Sequence, residues 1–169
     1  MGWSRNLYTG LAALHSDIVL FMQEDFFICG PVDEAYIIKA IRQMQQHSDI
    51  SCFRLMPCPG PDKDIDADHG QIAQDAPYRV SCQAALWRRE DLMGICQRTT
   101  SPGSFEIEGT RLASDLRTVF LSVRRDRNPW PLPYLVSAVS RGLWNPDAIT
   151  LCNKLKIPID TENRPVEPH

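Results

Sequence analysis

Asp17-Ile18-Val19-Leu20-Phe21-Met22-Gln23-Glu24-Asp25-Phe26-Phe27-Ile28 is the stretch that decides the fold. Ile18–Met22 is the longest unbroken apolar run in the chain, far below the roughly 20 residues that cross a membrane and of ordinary strand length. Because the run is continuous rather than alternating, it predicts a strand covered on both faces, as at the centre of an α/β sheet. Asp17–Ile28 is read as that strand, and Gly30-Pro31 closes it. Upstream, Leu7, Leu11 and Leu14 recur at helical spacing, so Ser4–His15 reads as a helix with Ser4 as a candidate N-cap. Downstream, Val32, Ala35, Ile38, Ile41 and Met44 form one stripe opposite Asp33, Glu34, Lys39, Arg42 and Gln43, predicting a helix over Pro31–His47. Ile50–Leu55 reads as the next strand. Strand, helix, strand is βαβ grammar, and the expected fold class is α/β, a mixed sheet flanked by helices.

Further out the pattern is weaker. Met56–Pro77 holds 22 residues with four prolines and two glycines and no periodicity. Structureless loops beyond about 12–15 residues are uncommon in compact domains, and a mobile functional loop is expected here. Tyr78–Cys82 reads as a short strand, Arg89–Gln97 as a short helix and Phe105–Leu116 as a helix opened by Ser101-Pro102. Thr118–Val123 reads as a strand and Asn128–Pro133 as a rigid extended connector. Val136–Ser140 and Pro146–Leu155 read as helix pieces. The expected organisation is one α/β domain over residues 1–155 followed by a tail over 156–169.

Composition narrows the class. With 43% hydrophobic and 23% charged residues, the 169-residue chain is neither disordered nor a low-complexity linker. A formal charge of −3 and a pI near 5.8 argue against a general nucleic-acid binder. No charged-then-apolar leader opens the sequence, and Asn6 stands where a myristoylation signal has Ser or Thr. A soluble cytoplasmic chain, peripheral at most to the inner face of a membrane, is the expectation. The six cysteines, Cys29, Cys52, Cys58, Cys82, Cys96 and Cys152, form no CxxC pair, and several sit in apolar runs as small buried hydrophobes. His15, His47, His69 and His169 are dispersed.

The chemistry-bearing candidates begin with Gln23-Glu24-Asp25. Two carboxylates directly after a buried run must be exposed, paired or bound to a cation, because an unpaired buried carboxylate is costly. They also fall at a strand's carboxyl end, where open α/β sheets bind ligands; a salt-bridged strand end is the plainer reading. The acidic loop Asp62–Gly70 fails an EF-hand count, since Gly70 falls at the seventh position from Asp64 and Asp75 at the twelfth. Arg124-Arg125-Asp126-Arg127 suits a phosphate or an acidic membrane surface, but a solvated strand end explains it more simply.

Trp3-Ser4, Leu11-Ala12-Ala13-Leu14 and Asp17–Ile28, taken in order, resemble nucleotide-sugar glycosyltransferases of the GT-A type. The resemblance implies a GT-A-like fold in which Asp25 holds Mn²⁺ or Mg²⁺ against the donor diphosphate, with Glu24 beside it. Gln23 departs from the family's DxD-like motif at the first acidic position. Ser81–Arg88 resembles the acceptor-lining strand and turn, implying that Gln83 and Trp87 face the acceptor sugar. Residue types agree: an aromatic face packs on a pyranose and an amide serves hydroxyls. A core tryptophan is the alternative. Ser101-Pro102-Gly103-Ser104-Phe105-Glu106 resembles the segment preceding the catalytic base of inverting members, implying Glu106 as base with Glu108 in reserve. Two acids matching a helix N-terminus would read the same way. Val139–Trp144 and the run to Arg164 resemble the family's C-terminal segment, where Trp144 either covers the site or pins the tail.

The resemblance spans most of Trp3–Arg164 and implies inverting, metal-assisted transfer from a nucleotide-diphosphate sugar to a hydroxyl acceptor on a carbohydrate. With 22 residues before Gln23, the nucleotide-binding half that the family carries upstream is expected to be largely absent. A homo-oligomer or a partner chain completing the fold is implied. Two other readings stand beside it: a non-catalytic carbohydrate-binding or interaction module of the same descent, and a metal-dependent hydrolase.

Overall fold

A computed structural model describes residues 2–168. In chain order the elements are α1 (Trp3–Ala12), β1 (Ile18–Phe21), β2 (Phe27–Ile28), α2 (Glu34–Gln46), β3 (Ile50–Arg54), β4 (Lys63–Asp64), β5 (His69–Ile72) and β6 (Ala85–Arg88). There follow α3 (Arg89–Cys96), α4 (Pro102–Asp115), β7 (Val119–Val123), β8 (Tyr134–Leu135), β9 (Val139–Ser140), β10 (Leu143–Trp144) and α5 (Pro146–Leu155). The fold class is α/β, with a mixed sheet flanked by helices. No helix of the described residues is long and apolar enough to cross a membrane. The chain divides into two compact units, one of residues 1–22 and 33–131, the other of 23–32 and 132–169.

The first unit holds a six-stranded sheet in the order β1-β6-β3-β7-β5-β4. β3 and β7 run parallel, whereas β6 lies antiparallel to both β1 and β3. β1 is therefore an edge strand, with Val19 and Phe21 buried and Leu20 48% exposed, and the expectation of a central, doubly covered strand is corrected. A continuous apolar run cannot tell which strands will flank it. On one face of the sheet Trp87 meets Phe105 and Phe120 at 6.4 and 5.4 Å between centroids and Trp3 meets Phe105 at 5.4 Å, while Phe53 packs on Tyr36 at 6.1 Å. α2 forms where expected, capped by the Asp33 carboxylate accepting from the Tyr36 amide at 3.0 Å. Its buried face is Tyr36, Ala40 and Met44, while Ile38 of the expected stripe is 47% exposed. Gly2, not Ser4, occupies the N-cap of α1; Ser4 is buried inside the helix, its Oγ 3.0 Å from Thr99 Oγ1.

The expected mobile loop over Met56–Pro77 is instead structured. β5 pairs antiparallel with β7, and β4 pairs with β5. Gly70 is required where β5 pairs with β4, because a Cβ there would stand 2.5 Å from the Lys63 carbonyl oxygen. Two buried arginines hold the rest. Arg54, 1% exposed, donates to the carbonyls of Tyr78 and Arg79 at 3.0 and 2.9 Å and also to Pro59. Arg79, also 1% exposed, donates to Ile72, Ala73 and Thr118. Irregular backbone has carbonyls that no ladder satisfies, and here two guanidinium groups satisfy them. The expected strand over Tyr78–Cys82 is irregular for the same reason: its polar groups bond to side chains.

His69 opens β5, 4% exposed, with Nδ1 3.1 Å from Asp66 and Nε2 3.0 Å from the Gln43 amide. Burial holds its pKa below the ordinary 6.5, against the pull of Asp66. As pH falls past the ordinary value, the unfolded chain takes up a proton that the folded chain resists. Stability therefore declines from about pH 7 toward pH 5. Burial raises the Asp66 carboxyl, but backbone bonds from Asp68 and His69 outweigh it, so Asp66 adds a further loss only at more acid pH. His69→Gln is expected to flatten the melting-temperature profile over the first window; a profile with unchanged slope would refute this assignment.

In the second unit, β2 pairs with β8, and Phe26 stacks on Tyr134 at 4.8 Å. The segment expected as a helix, Val136–Ser140, instead leads into a hairpin of β9 and β10, with positive φ of 50° and 82° at Arg141 and Gly142. Two consecutive left-handed residues make a turn whose twist matches that of paired strands, and Gly142 makes it accessible. Residues 156–168 are not a free tail. Val166 bridges to Trp144, and the Trp144 amide donates to the Pro165 carbonyl at 2.8 Å.

Candidate functional site

In the first unit, α4 presents its N-terminal turn to the segment before β6. Ser101 caps the helix and exchanges bonds with Ser104, and Pro102 occupies the first turn, as the sequence predicts. This cap sets the helix phase: Phe105 is fully buried, Glu106 half-buried, and Glu108 exposed. Glu106 Oε1 accepts from the Cys82 amide at 2.9 Å. One turn on, Thr110 Oγ1 accepts from the Val80 amide at 3.1 Å and donates to the Val80 carbonyl at 3.2 Å. Gly109 lets the two segments approach, since a Cβ there would lie 3.1 Å from Val80 Cγ1. The helix thereby holds Glu106 against Ser81-Cys82-Gln83. Gln83 is half-buried, its backbone N–H donating to Ser81 Oγ at 3.3 Å. Glu106 and the Gln83 segment are thus brought together.

Trp87 is placed differently. It is 1% exposed, enclosed edge-to-face by Phe105 and Phe120 in the core of the sheet. A sugar platform needs an open ring face, so the acceptor-contact assignment of Trp87 is corrected to a core role. The sequence contained the reason: Ala84-Ala85-Leu86-Trp87 is an apolar run, now seen as buried at every position.

Glu24 and Asp25 belong to the second unit. They form a turn in which the Phe26 amide donates to the Gln23 carbonyl at 3.2 Å. The Asp25 carbonyl accepts from the Ala138 amide at 2.7 Å, anchoring the turn. Glu24 is exposed and Asp25 half-buried; among the described residues of this unit neither carboxylate has a hydrogen-bond or ion-pair partner. The expected strand Asp17–Ile28 is interrupted at this turn, leaving β1 and β2 separate. No group of three His, Cys, Asp or Glu poised for a metal occurs among the described residues. A pair of open carboxylates still suits Mg²⁺ or Mn²⁺, which takes one or two protein carboxylates when substrate phosphates and waters complete the shell.

The remaining polar candidates are committed to structure. Arg124 bonds Asp64 and Asp126, each at 2.8 Å, and Arg127 bonds Asp33 at 2.7 Å with its guanidinium 4.3 Å from the Tyr36 ring centroid. Lys39 pairs with Asp68. The acidic loop and the basic run therefore neutralise each other. No disulfide joins the described cysteines, of which Cys29 and Cys58 are exposed and the rest buried. Burial pushes the Cys52 and Cys96 thiols up to about 12, so neither is a reactive thiolate. Trp144 pins the C-terminal segment, its Nε1 donating to the Asp160 carbonyl at 2.7 Å.

One feature of the second unit went unread in the sequence: an apolar cavity of about 560 Å³ walled by Phe26, Phe27, Trp144, Leu151, Leu155 and Ile157. Its signal was present as Phe26-Phe27-Ile28 and as Leu151 and Leu155 one turn apart. No family model, curated protein or solved structure matches this chain.

Proposed function

We propose that the chain carries a GT-A-like glycosyltransferase domain that transfers a sugar from a nucleotide-diphosphate donor to a hydroxyl acceptor with inversion. The observation that carries the reading is the bond from the Cys82 amide to Glu106. It fixes a half-buried carboxylate beside Gln83, where a base for an acceptor hydroxyl and an amide for sugar hydroxyls would work together. One Glu106 oxygen is used to hold the segment and the other is left to accept the acceptor's proton as its oxygen attacks. Gln83 orients the acceptor. Asp25, with Glu24 as neighbour, would hold Mn²⁺ or Mg²⁺. The ion, when bound, supplies positive charge to the leaving diphosphate.

The runner-up is a non-catalytic carbohydrate-binding or interaction module of the same descent. The burial of Trp87 favours it, because that removes one of the acceptor contacts the transferase reading used.

Calorimetric titration with UDP and GDP in the presence of Mn²⁺ separates the two. Saturable binding that Asp25→Ala weakens at least tenfold supports the transferase reading. No binding at millimolar nucleotide, or equal binding to the Asp25→Ala protein, sinks it for this chain.

A further inference from the structure

We propose that the cavity of the second unit binds the hydrocarbon chain of a single-tailed amphiphile with an anionic head. The proposal stands apart from the transferase reading and uses none of its residues.

The cavity holds about 560 Å³, within the roughly 300–1,000 Å³ of ordinary ligand sites. Its walls come from β2, from β10 and α5, and from the segment after α5, with Phe27 and Trp144 rings 6.3 Å apart. Ile28, Leu155 and Ile157 are 46, 52 and 51% exposed, a costly concentration of open apolar surface in one place. The polar groups at its rim are already used. Trp144 Nε1 donates to the Asp160 carbonyl. The Asp160 carboxylate accepts from the Glu162 and Asn163 amides at 3.0 Å and from Asn163 Nδ2 at 2.7 Å. A sugar, nucleotide or peptide backbone would bring hydrogen-bonding groups and find none of these free to meet them, so its desolvation would go uncompensated. An alkyl or prenyl chain carries no such cost.

The head group follows from charge. Arg164 does not line the cavity but lies with its guanidinium carbon 4.9 Å from the centroid of the Trp144 ring, which does; the charged lining residue, Asp160, has its carboxylate engaged by Glu162 and Asn163. Lys154 and Lys156, both exposed, flank Leu155 in the chain. A carboxylate or phosphate head would sit on the Arg164 side while the tail fills the cavity. The concavity also separates this from a flat protein interface, which needs about 800 Å² from each partner.

The test is calorimetric titration of the full chain with dodecyl phosphate, dodecanoate and dodecan-1-ol, each below its aggregation concentration. One saturable site for the two anions is expected, with Kd in the micromolar range. Leu155→Asp should weaken binding of both at least tenfold, and Ile157→Asp, outside the helix, should do the same if Leu155→Asp perturbs α5. Arg164→Gln should weaken the anions several-fold and leave the alcohol unchanged. A stronger effect on dodecyl phosphate than on dodecanoate would assign the head as phosphate, the reverse as carboxylate. Three results would overturn the proposal. They are no saturable binding of either anion, binding within twofold of wild type in both Asp variants, or a dimer in solution that Leu155→Asp converts to monomer.

Discussion

Arg79→Ala is expected to lower the free energy of unfolding by about 4 kcal/mol, read as a reduced urea midpoint at unchanged slope. The guanidinium is 1% exposed and donates to the carbonyls of Ile72, Ala73 and Thr118 at 3.3, 2.8 and 2.5 Å. It also lies 4.3 Å from the Phe120 ring centroid. Truncation orphans one buried and two part-buried acceptors, each worth about 1–3 kcal/mol at full burial, and water entering the vacated space recovers part of that. Burial alone lowers the Arg79 pKa, yet guanidinium remains charged at any working pH. Arg79→Lys restores the charge but not the planar fork that reaches the end of β5 on one side and the approach to β7 on the other. It should recover less than half of the loss. A destabilisation under about 1 kcal/mol in the alanine variant would show that the carbonyls find other partners.

On the proposed transferase function, Glu106→Gln is expected to cut turnover by roughly 10²–10⁴ while leaving stability within about 0.5 kcal/mol of wild type. The amide oxygen of glutamine accepts the Cys82 N–H as the carboxylate does, so the segment stays in place and only basicity is lost. Glu106→Ala, in contrast, orphans that N–H and should also cost about 1–2 kcal/mol of stability. Turnover of a nucleotide-sugar donor and urea melts on both variants separate the two roles. If the glutamine variant turns over within a few-fold of wild type, Glu106 is a structural acceptor and Glu108, exposed on the same helix, becomes the residue to test.

The local features were legible. The Ser101-Pro102 cap, helix α2 and strands β1, β3 and β7 all rest on signals within a few residues: a cap, a helical stripe, an apolar run. The hairpin at Arg141-Gly142 had a readable signal as well, a glycine between short apolar pairs, but five residues of apolar and small side chains suited a helix equally. Trp87 was open between two roles because an aromatic closing the run Ala84-Ala85-Leu86-Trp87 suits both a core and a sugar platform. The Cys82-to-Glu106 bond could be expected only as residue types, since its two partners lie on different elements of the chain.

By itself, then, the sequence determined an α/β chain, a capped helix carrying Glu106 at its start, and an apolar strand leading to two carboxylates. Each of these depends on neighbours within one or two turns, where backbone geometry and burial act directly. Tertiary structure alone decided that β1 lies at an edge, because β6 comes from far downstream to pair antiparallel between β1 and β3. It alone decided that Arg54 and Arg79 build the Met56–Pro77 segment from inside, and that Trp144 is anchored by residues 160–167. The physical reason is common to all three: a hydrogen bond or a buried contact is specified by both of its partners, and here the second partner is distant in the chain.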